Sequence, residues 1–281
     1  MVVSYHTQKV GAVNVFYREA GDPKRPTLLL LHGFPSAGHE FDPLMPKLEQ
    51  YFHLLAPDLP GFGQTHCPED FEYTFAHLTQ VIHDWLKDRG VTHYYLYVFD
   101  YGAPIGFRLA LQNPDAILGI TSQNGNIYRE GLGAKWAERA KYWAHPTPAL
   151  RKFYQSAFAP DTIRNQYLTG TKPGTISAVN YTKDIDFTLK ADYAEHQSDL
   201  IFDYQTNVAM YSQFQAYLHQ YQPKLLAAWG KNDPSFIPAG AKAFTHDDPN
   251  TRVALLDTGH FALETHADVI AKLMIETFGP D

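Results

Sequence analysis

The 281-residue chain has one cysteine, Cys67, so it can form no intrachain disulfide, which fits a reducing compartment. Its 23 Lys and Arg nowhere gather into a basic block, and against 30 Asp and Glu they leave a formal net charge of -7. That balance argues against a nucleic-acid surface or an anionic membrane as partner and leaves a small molecule as the expected one. No apolar run approaches the roughly 20 residues that span a bilayer. Met1 to Tyr5 lacks the basic and apolar regions of a signal peptide. A cytoplasmic monomer or homodimer is the expectation. Repeats and low-complexity tracts are also missing, which excludes a solenoid. Hydrophobic residues at 44% and charged residues at 19% supply a sizeable core, in one large domain or a core with an insertion.

Metal-ligand spacing is missing as well. Neither His246-Asp247-Asp248 nor the pair His260 and His266 has the His-x-x-x-His interval that puts two rings on one helical face, so no metal and no cofactor is expected. Cys67 stands in a polar segment with no partner motif and reads as an ordinary loop thiol.

What the chain does have is alternation. Tyr5 to Glu19 holds two strand-like stretches broken at Gly11, and Thr27-Leu28-Leu29-Leu30-Leu31 reads as a buried strand ending at His32-Gly33-Phe34-Pro35. His53 to Ala56 is the next strand. The loop from Pro57 to Gly63 follows it without opening a helix, so its glycines are not a dinucleotide fingerprint. Phe75, Leu78, Val81, Ile82 and Trp85 have helical spacing, and Gly90 stops that helix. Tyr94 to Phe99 is a strand leading through Asp100-Tyr101-Gly102 into a helix over 103 to 112, where Pro104 is tolerated in the first turn. A short strand is expected at Ala116 to Thr121.

From 126 to 222 the pattern turns helical and aromatic, which predicts an inserted helical cap, with 1–125 and 223–281 forming the core. Strands return at Lys224 to Trp229 and Arg252 to Leu256, and a last helix is expected over Ala267 to Phe278. The fold class is therefore α/β: a mostly parallel sheet flanked by helices, with ligands at the carboxyl ends of its strands.

Four motifs fall at those ends. Val98-Phe99-Asp100-Tyr101-Gly102, between a strand and a helix, has the context of a nucleophile elbow with Asp at its centre. Asp233 in Trp229-Gly230-Lys231-Asn232-Asp233 and His260 in Asp257-Thr258-Gly259-His260-Phe261 follow in the order acid, then base. His32-Gly33-Phe34-Pro35 takes the place of an oxyanion loop. Each has a plainer reading: Asp100 as a helix N-cap, His260 as a buried core histidine, Asp233 as a turn residue before Pro234.

On these motifs the chain resembles the α/β-hydrolase superfamily, and within it the carboxylate-nucleophile branch of epoxide hydrolases and dehalogenases. The resemblance implies an α/β-hydrolase fold with a helical cap. It also implies Asp100 as nucleophile, His260 as base, Asp233 as its charge partner, and the backbone N–H groups of Phe34 and Tyr101 as oxyanion donors. A carboxylate attacking an acyl carbon would give an anhydride, whereas attack on saturated carbon gives a stable alkyl ester, so displacement at carbon is favoured over ester cleavage.

An epoxide oxygen needs a donor, which cap tyrosines provide in the epoxide hydrolases; Tyr167 and Tyr204, then Tyr154 and Tyr211, are the candidates. The haloalkane dehalogenases usually place Trp directly after the nucleophile, where this chain has Tyr101. Fluoroacetate dehalogenases place arginines there for the substrate carboxylate; the nearest here, Arg108, reads as structural. Epoxide hydrolysis is thus favoured, with a dehalogenase as alternative and a ligand-binding protein on the same scaffold as a third possibility. Asp58 and Asp257 read as loop caps, and His39 either approaches the site mouth or faces solvent.

Overall fold

A computed structural model describes residues 3–279. Its eight-stranded sheet comprises β1 (Ser4–Val10), β2 (Val13–Ala20), β3 (Thr27–Leu31), β4 (His53–Pro57), β5 (Tyr94–Phe99), β6 (Ile117–Gln123), β7 (Leu225–Gly230) and β8 (Arg252–Leu256), in the order β1-β2-β4-β3-β5-β6-β7-β8. β2 runs antiparallel to β1 and β4, and the remaining pairs are parallel. The helices are α1 (Met45–Leu48), α2 (Phe75–Asp88), α3 (Gly102–Gln112), α4 (Lys135–Ala144), α5 (Pro148–Tyr154), α6 (Pro160–Leu168), α7 (Ala178–Phe187), α8 (Tyr193–Tyr221), α9 (Pro238–Asp247) and α10 (Leu263–Phe278). No helix among the described residues is long and apolar enough to cross a membrane.

Thr27–Leu31 is apolar without alternation because both faces of the sheet are covered. Leu29 and Leu31 join Trp85, Val98, Phe107 and Trp229 in one core, while Leu28 and Leu30 join Phe41, Phe99, Leu226 and Met274 in the other. The period of two along the strand thus divides one sequence run between two cores. The edge strand β1 is exposed at alternate and adjacent positions, including Tyr5.

The chain goes from β3 outward to β4, then returns to place β5 on the other side of β3. This reversal opens a crevice between the carboxyl ends of β3 and β5, the place where ligands of such sheets bind.

Several boundaries differ from the pattern-based reading. β6 runs to Gln123 rather than Thr121, since its pairing with β5 extends to Phe99↔Gln123. α10 begins at Leu263, four residues before the expected Ala267, with a break at His266 (φ -130°) that interrupts the helical spacing. α9 had no counterpart in the apolar pattern. Between β6 and β7 lie α4 to α8, of which α8 is the longest at 29 residues.

Candidate active site

Register builds the centre of the site. Leu31 pairs with Val98, so Gly33 and Asp100, each two residues further on, meet at the same level of the crevice. A methyl group on Gly33 would stand 2.3 Å from the Asp100 Cβ, and one on Gly102 would stand 2.1 Å from the Leu31 carbonyl oxygen. Only glycine fits at either position. Asp100 itself has φ 46°, the left-handed turn that lifts its carboxylate above the strand ends.

The two carboxylate oxygens of Asp100 have different surroundings. Oδ1 accepts backbone N–H bonds from Phe34 (2.9 Å) and Tyr101 (2.7 Å), the latter at the start of α3, where the helix dipole also favours negative charge. Oδ2 faces His260 Nε2 at 3.6 Å. Phe34 is held in place from behind: His32 is fully buried, Leu59 N–H donates to its Nε2 (2.9 Å), and its Nδ1 lies 3.0 Å from Gly33 O. Nε2 is therefore the acceptor and Nδ1 carries the proton. Burial pushes the His32 pKa down to about 4, so it is neutral. Asp58 anchors the neighbouring loop by accepting from Gly38 N–H, Gln64 N–H and Arg18.

His260 Nδ1 is 2.6 Å from Asp233 Oδ2. Burial works against a charged His260, but the charges of Asp233 and Asp100 and their hydrogen bonds outweigh it and raise its pKa to about 9. Asp233 is also buried, which alone would raise its pKa; the His260 charge, together with bonds from His260, Ser235 N–H (2.7 Å) and Asn124 Nδ2 (2.8 Å), lowers it instead. Asn124 and Gln123, both absent from the sequence reading, complete the support. Asn124, itself at φ 45°, also accepts from Gly230 N–H (2.8 Å), tying the end of β6 to that of β7. Gln123 Nε2 donates to His260 O at 3.1 Å. The Asn124-Gly125 turn signal marks such a position in sequence, but not its partner.

Of the four candidate tyrosines, two stand at the site. Tyr204 is fully buried, its hydroxyl adjoins that of Tyr211, and it feels the charge of Asp100. Tyr211, seven residues along the same face of α8, also feels Asp100 and receives a bond from Asn126 Nδ2 (3.4 Å). Tyr167 is elsewhere, its hydroxyl bonded to Asp184 and its ring stacked on Phe261 at 3.7 Å. Tyr154 is half-buried beside Tyr142 and Arg139.

His39 neither faces solvent nor lies open at the mouth: it is buried, with Nε2 2.9 Å from Asp184 Oδ1. Arg108 is bound to Thr206 (2.9 Å) and Asn207 (2.8 Å) of α8, a tie between α3 and α8. Asp257 pairs with Lys231 at the surface. Three of the indole N–H groups are already engaged, Trp136 with Ser235 O, Trp143 with Ile201 O and Trp229 with Phe236 O, while Trp85 packs against Tyr17.

The arrangement supplies a carboxylate oxygen, two N–H donors on its twin, and an oriented imidazole facing it. It is therefore equipped for nucleophilic attack through Oδ2 and for charge stabilisation at Oδ1.

The chain matches the family model for the alpha/beta hydrolase fold over residues 26–267. It is 40% identical over 292 residues to an uncharacterized hydrolase of Saccharomyces cerevisiae, covering 99% of this chain and 98% of that protein. A haloalkane dehalogenase of Bradyrhizobium diazoefficiens is 38% identical over 104 residues, 37% of this chain and 33% of that protein. Among solved structures, a haloalkane dehalogenase of Bradyrhizobium elkani aligns with TM-score 0.82 and 21% identity over 98% of this chain and 97% of its own. An epoxide hydrolase aligns with TM-score 0.78 and 16% identity over 99% of both chains.

Proposed function

Because the chain belongs to the α/β-hydrolase family, we propose that it is a hydrolase working through an alkyl ester on Asp100, and that its substrate is an epoxide. The observation that carries the epoxide reading is the pair of adjoining buried hydroxyls of Tyr204 and Tyr211 within the field of Asp100. A hydroxyl engaged only with a neighbouring hydroxyl can turn its proton to an epoxide oxygen as that oxygen gains charge.

Asp100 Oδ2 forms a bond to one ring carbon. The carbon–oxygen bond breaks, its electron pair goes to the ring oxygen, and that oxygen takes the Tyr204 proton. Ester formation removes the Asp100 charge, which is one of the effects holding the His260 pKa high. His260 thereby gives up its Nε2 proton, which restores the Tyr204 hydroxyl, and becomes a base just when one is needed. Its Nε2 takes a proton from water, the hydroxide adds to the Asp100 carbonyl carbon, and the negative charge lands on Oδ1 between the Phe34 and Tyr101 N–H groups. Collapse expels the alkoxide, which takes the His260 proton and leaves as the diol, and the proton left on the Asp100 carboxyl passes to His260 Nε2, so that both groups return to their starting states.

Halide displacement by the same ester is favoured by the similarity to a haloalkane dehalogenase. Against it stand the engaged indole N–H groups, which leave a departing halide without an evident donor. The test uses His260→Gln with a panel of epoxides and bromoalkanes, followed by intact-protein mass spectrometry. The reading expects a stable mass increase equal to the epoxide, located on the peptide containing Asp100. Continued turnover with no adduct would refute the ester, and adducts from bromoalkanes alone would move the chain to the second reading.

A further inference from the structure

The only buried residue of helix α7 is Asp184, which is wholly shielded from water, while its apolar neighbours Tyr181 and Ile185 are only partly so. A helix resting on a core normally buries an apolar stripe, because a carboxylate taken out of water costs free energy that its partners must offset. The partners here come from two places. Tyr167 of α6 donates its hydroxyl to Asp184 Oδ2, and His39 places Nε2 2.9 Å from Oδ1. Replacing a buried pair of this kind by apolar residues is often neutral or stabilising, so folding alone gives little reason for it.

Its position gives a reason. His39 lies on the short 3₁₀ turn Gly38–Phe41, which follows the oxyanion loop, and its Nε2 is also 3.4 Å from the Oγ of Ser36, a fully buried residue two places beyond Phe34. The Phe187 ring packs against that of His39 at 6.0 Å, and Asn180 donates to Glu264, four residues beyond His260. Residues 180, 184 and 187 recur at helical spacing. One face of α7 therefore meets both the loop that carries the Phe34 N–H and the segment that follows His260. Tyr167 adds a second link to that segment, its ring stacked at 3.7 Å on Phe261, which lies edge-on to His260 at 5.2 Å.

We propose that Asp184 is a positioning residue for ester hydrolysis: through His39 and Ser36 it pins the loop that aims the Phe34 N–H at Asp100 Oδ1. This inference rests on the ester reading above. The two chemical steps need that N–H differently. Before ester formation it already serves a charged carboxylate, and attack through Oδ2 draws charge away from it. In hydrolysis a negative charge is created at Oδ1, so the donor binds the transition state more strongly than the ester that precedes it. A loosened loop slows the second step and spares the first, whereas a contact that served only to keep the cap folded would affect both alike.

The test is single-turnover kinetics on an epoxide that the wild type hydrolyses, with intact-protein mass spectrometry, for Asp184→Asn, His39→Gln and the double variant. The expected result for each is ester hydrolysis slower by at least about tenfold with ester formation within about threefold of wild type, so that the Asp100 adduct accumulates although His260 is present. Because the two residues act through one contact, the double variant should be no slower than the slower single one. Ser36→Ala removes one hydroxyl and leaves Asp184 its partners; it should show the same partition to a smaller degree, and it decides the matter if the other variants fail to fold. Equal slowing of both steps, unchanged hydrolysis in a variant of unchanged thermal stability, or effects that multiply in the double variant would each overturn the proposal. An adduct in His260→Gln alongside any of these removes only the role of Asp184, whereas no adduct in any variant removes the ester reading and this inference with it.

Discussion

Replacing Asn124 with glycine isolates what its side chain does, because glycine accepts the φ of 45° without strain. Three bonds disappear: the donor to Asp233 Oδ2 at 2.8 Å, the acceptor of Gly230 N–H at 2.8 Å and a longer donor to Gly230 O at 3.3 Å. A hydrogen bond to a buried charge contributes about 1.5–3 kcal/mol, and an orphaned buried N–H costs about 1–3 kcal/mol. Since one side chain makes all three bonds, they do not add fully, and the expected destabilisation is about 3–5 kcal/mol. Asn124→Ala should lose roughly 1–2 kcal/mol more, the cost of left-handed backbone in a residue with a Cβ. Asp233 keeps its bonds from His260 and Ser235 N–H, so activity should persist, with kcat lower by roughly tenfold and KM little changed. Urea denaturation of the three proteins, with kinetics on an epoxide they hydrolyse, measures all of this. A loss under about 1 kcal/mol with full activity would refute the claim that Asn124 holds Asp233.

The raised His260 pKa makes a pH prediction. Its folded value of about 9 exceeds the ordinary 6.5, so its stabilisation is complete below pH 6.5 and is lost as pH rises through 9. The stability gap between the wild type and His260→Gln should shrink by up to about 3 kcal/mol from pH 6 to pH 10; a constant gap would contradict the assignment. Gly33→Ala puts a methyl group 2.3 Å from the Asp100 Cβ and must displace the Phe34 N–H, so turnover should fall by at least about 10²-fold in steady-state assays. Tyr204→Phe should slow ester formation from an epoxide by about 10²-fold in single-turnover experiments and leave ester hydrolysis unchanged. An equal slowing with a bromoalkane would mean that Tyr204 acts otherwise than as donor to the ring oxygen.

The sequence by itself determined the sheet, the elbow and the order of the chemical groups. Runs such as Thr27–Leu31 and Tyr94–Phe99 announce buried strands through composition alone, and the turns that follow them are set by adjacent residues, so Asp100, Asp233 and His260 could be placed at strand ends without coordinates. Local chemistry is written locally.

Partnership is not. Tyr167 and Tyr204 are alike in sequence, both aromatic residues in helical stretches, yet Tyr167 bonds to Asp184 while the hydroxyl of Tyr204 adjoins that of Tyr211 in the field of Asp100. Only packing distinguishes them. Asn124 reads as a turn residue until β6 and β7 bring Gly230 and Asp233 to it from more than a hundred residues away. A side chain's type is fixed by its own position in the chain. Its burial, charge state and free valences are fixed by neighbours distant in sequence, and those the tertiary structure decides.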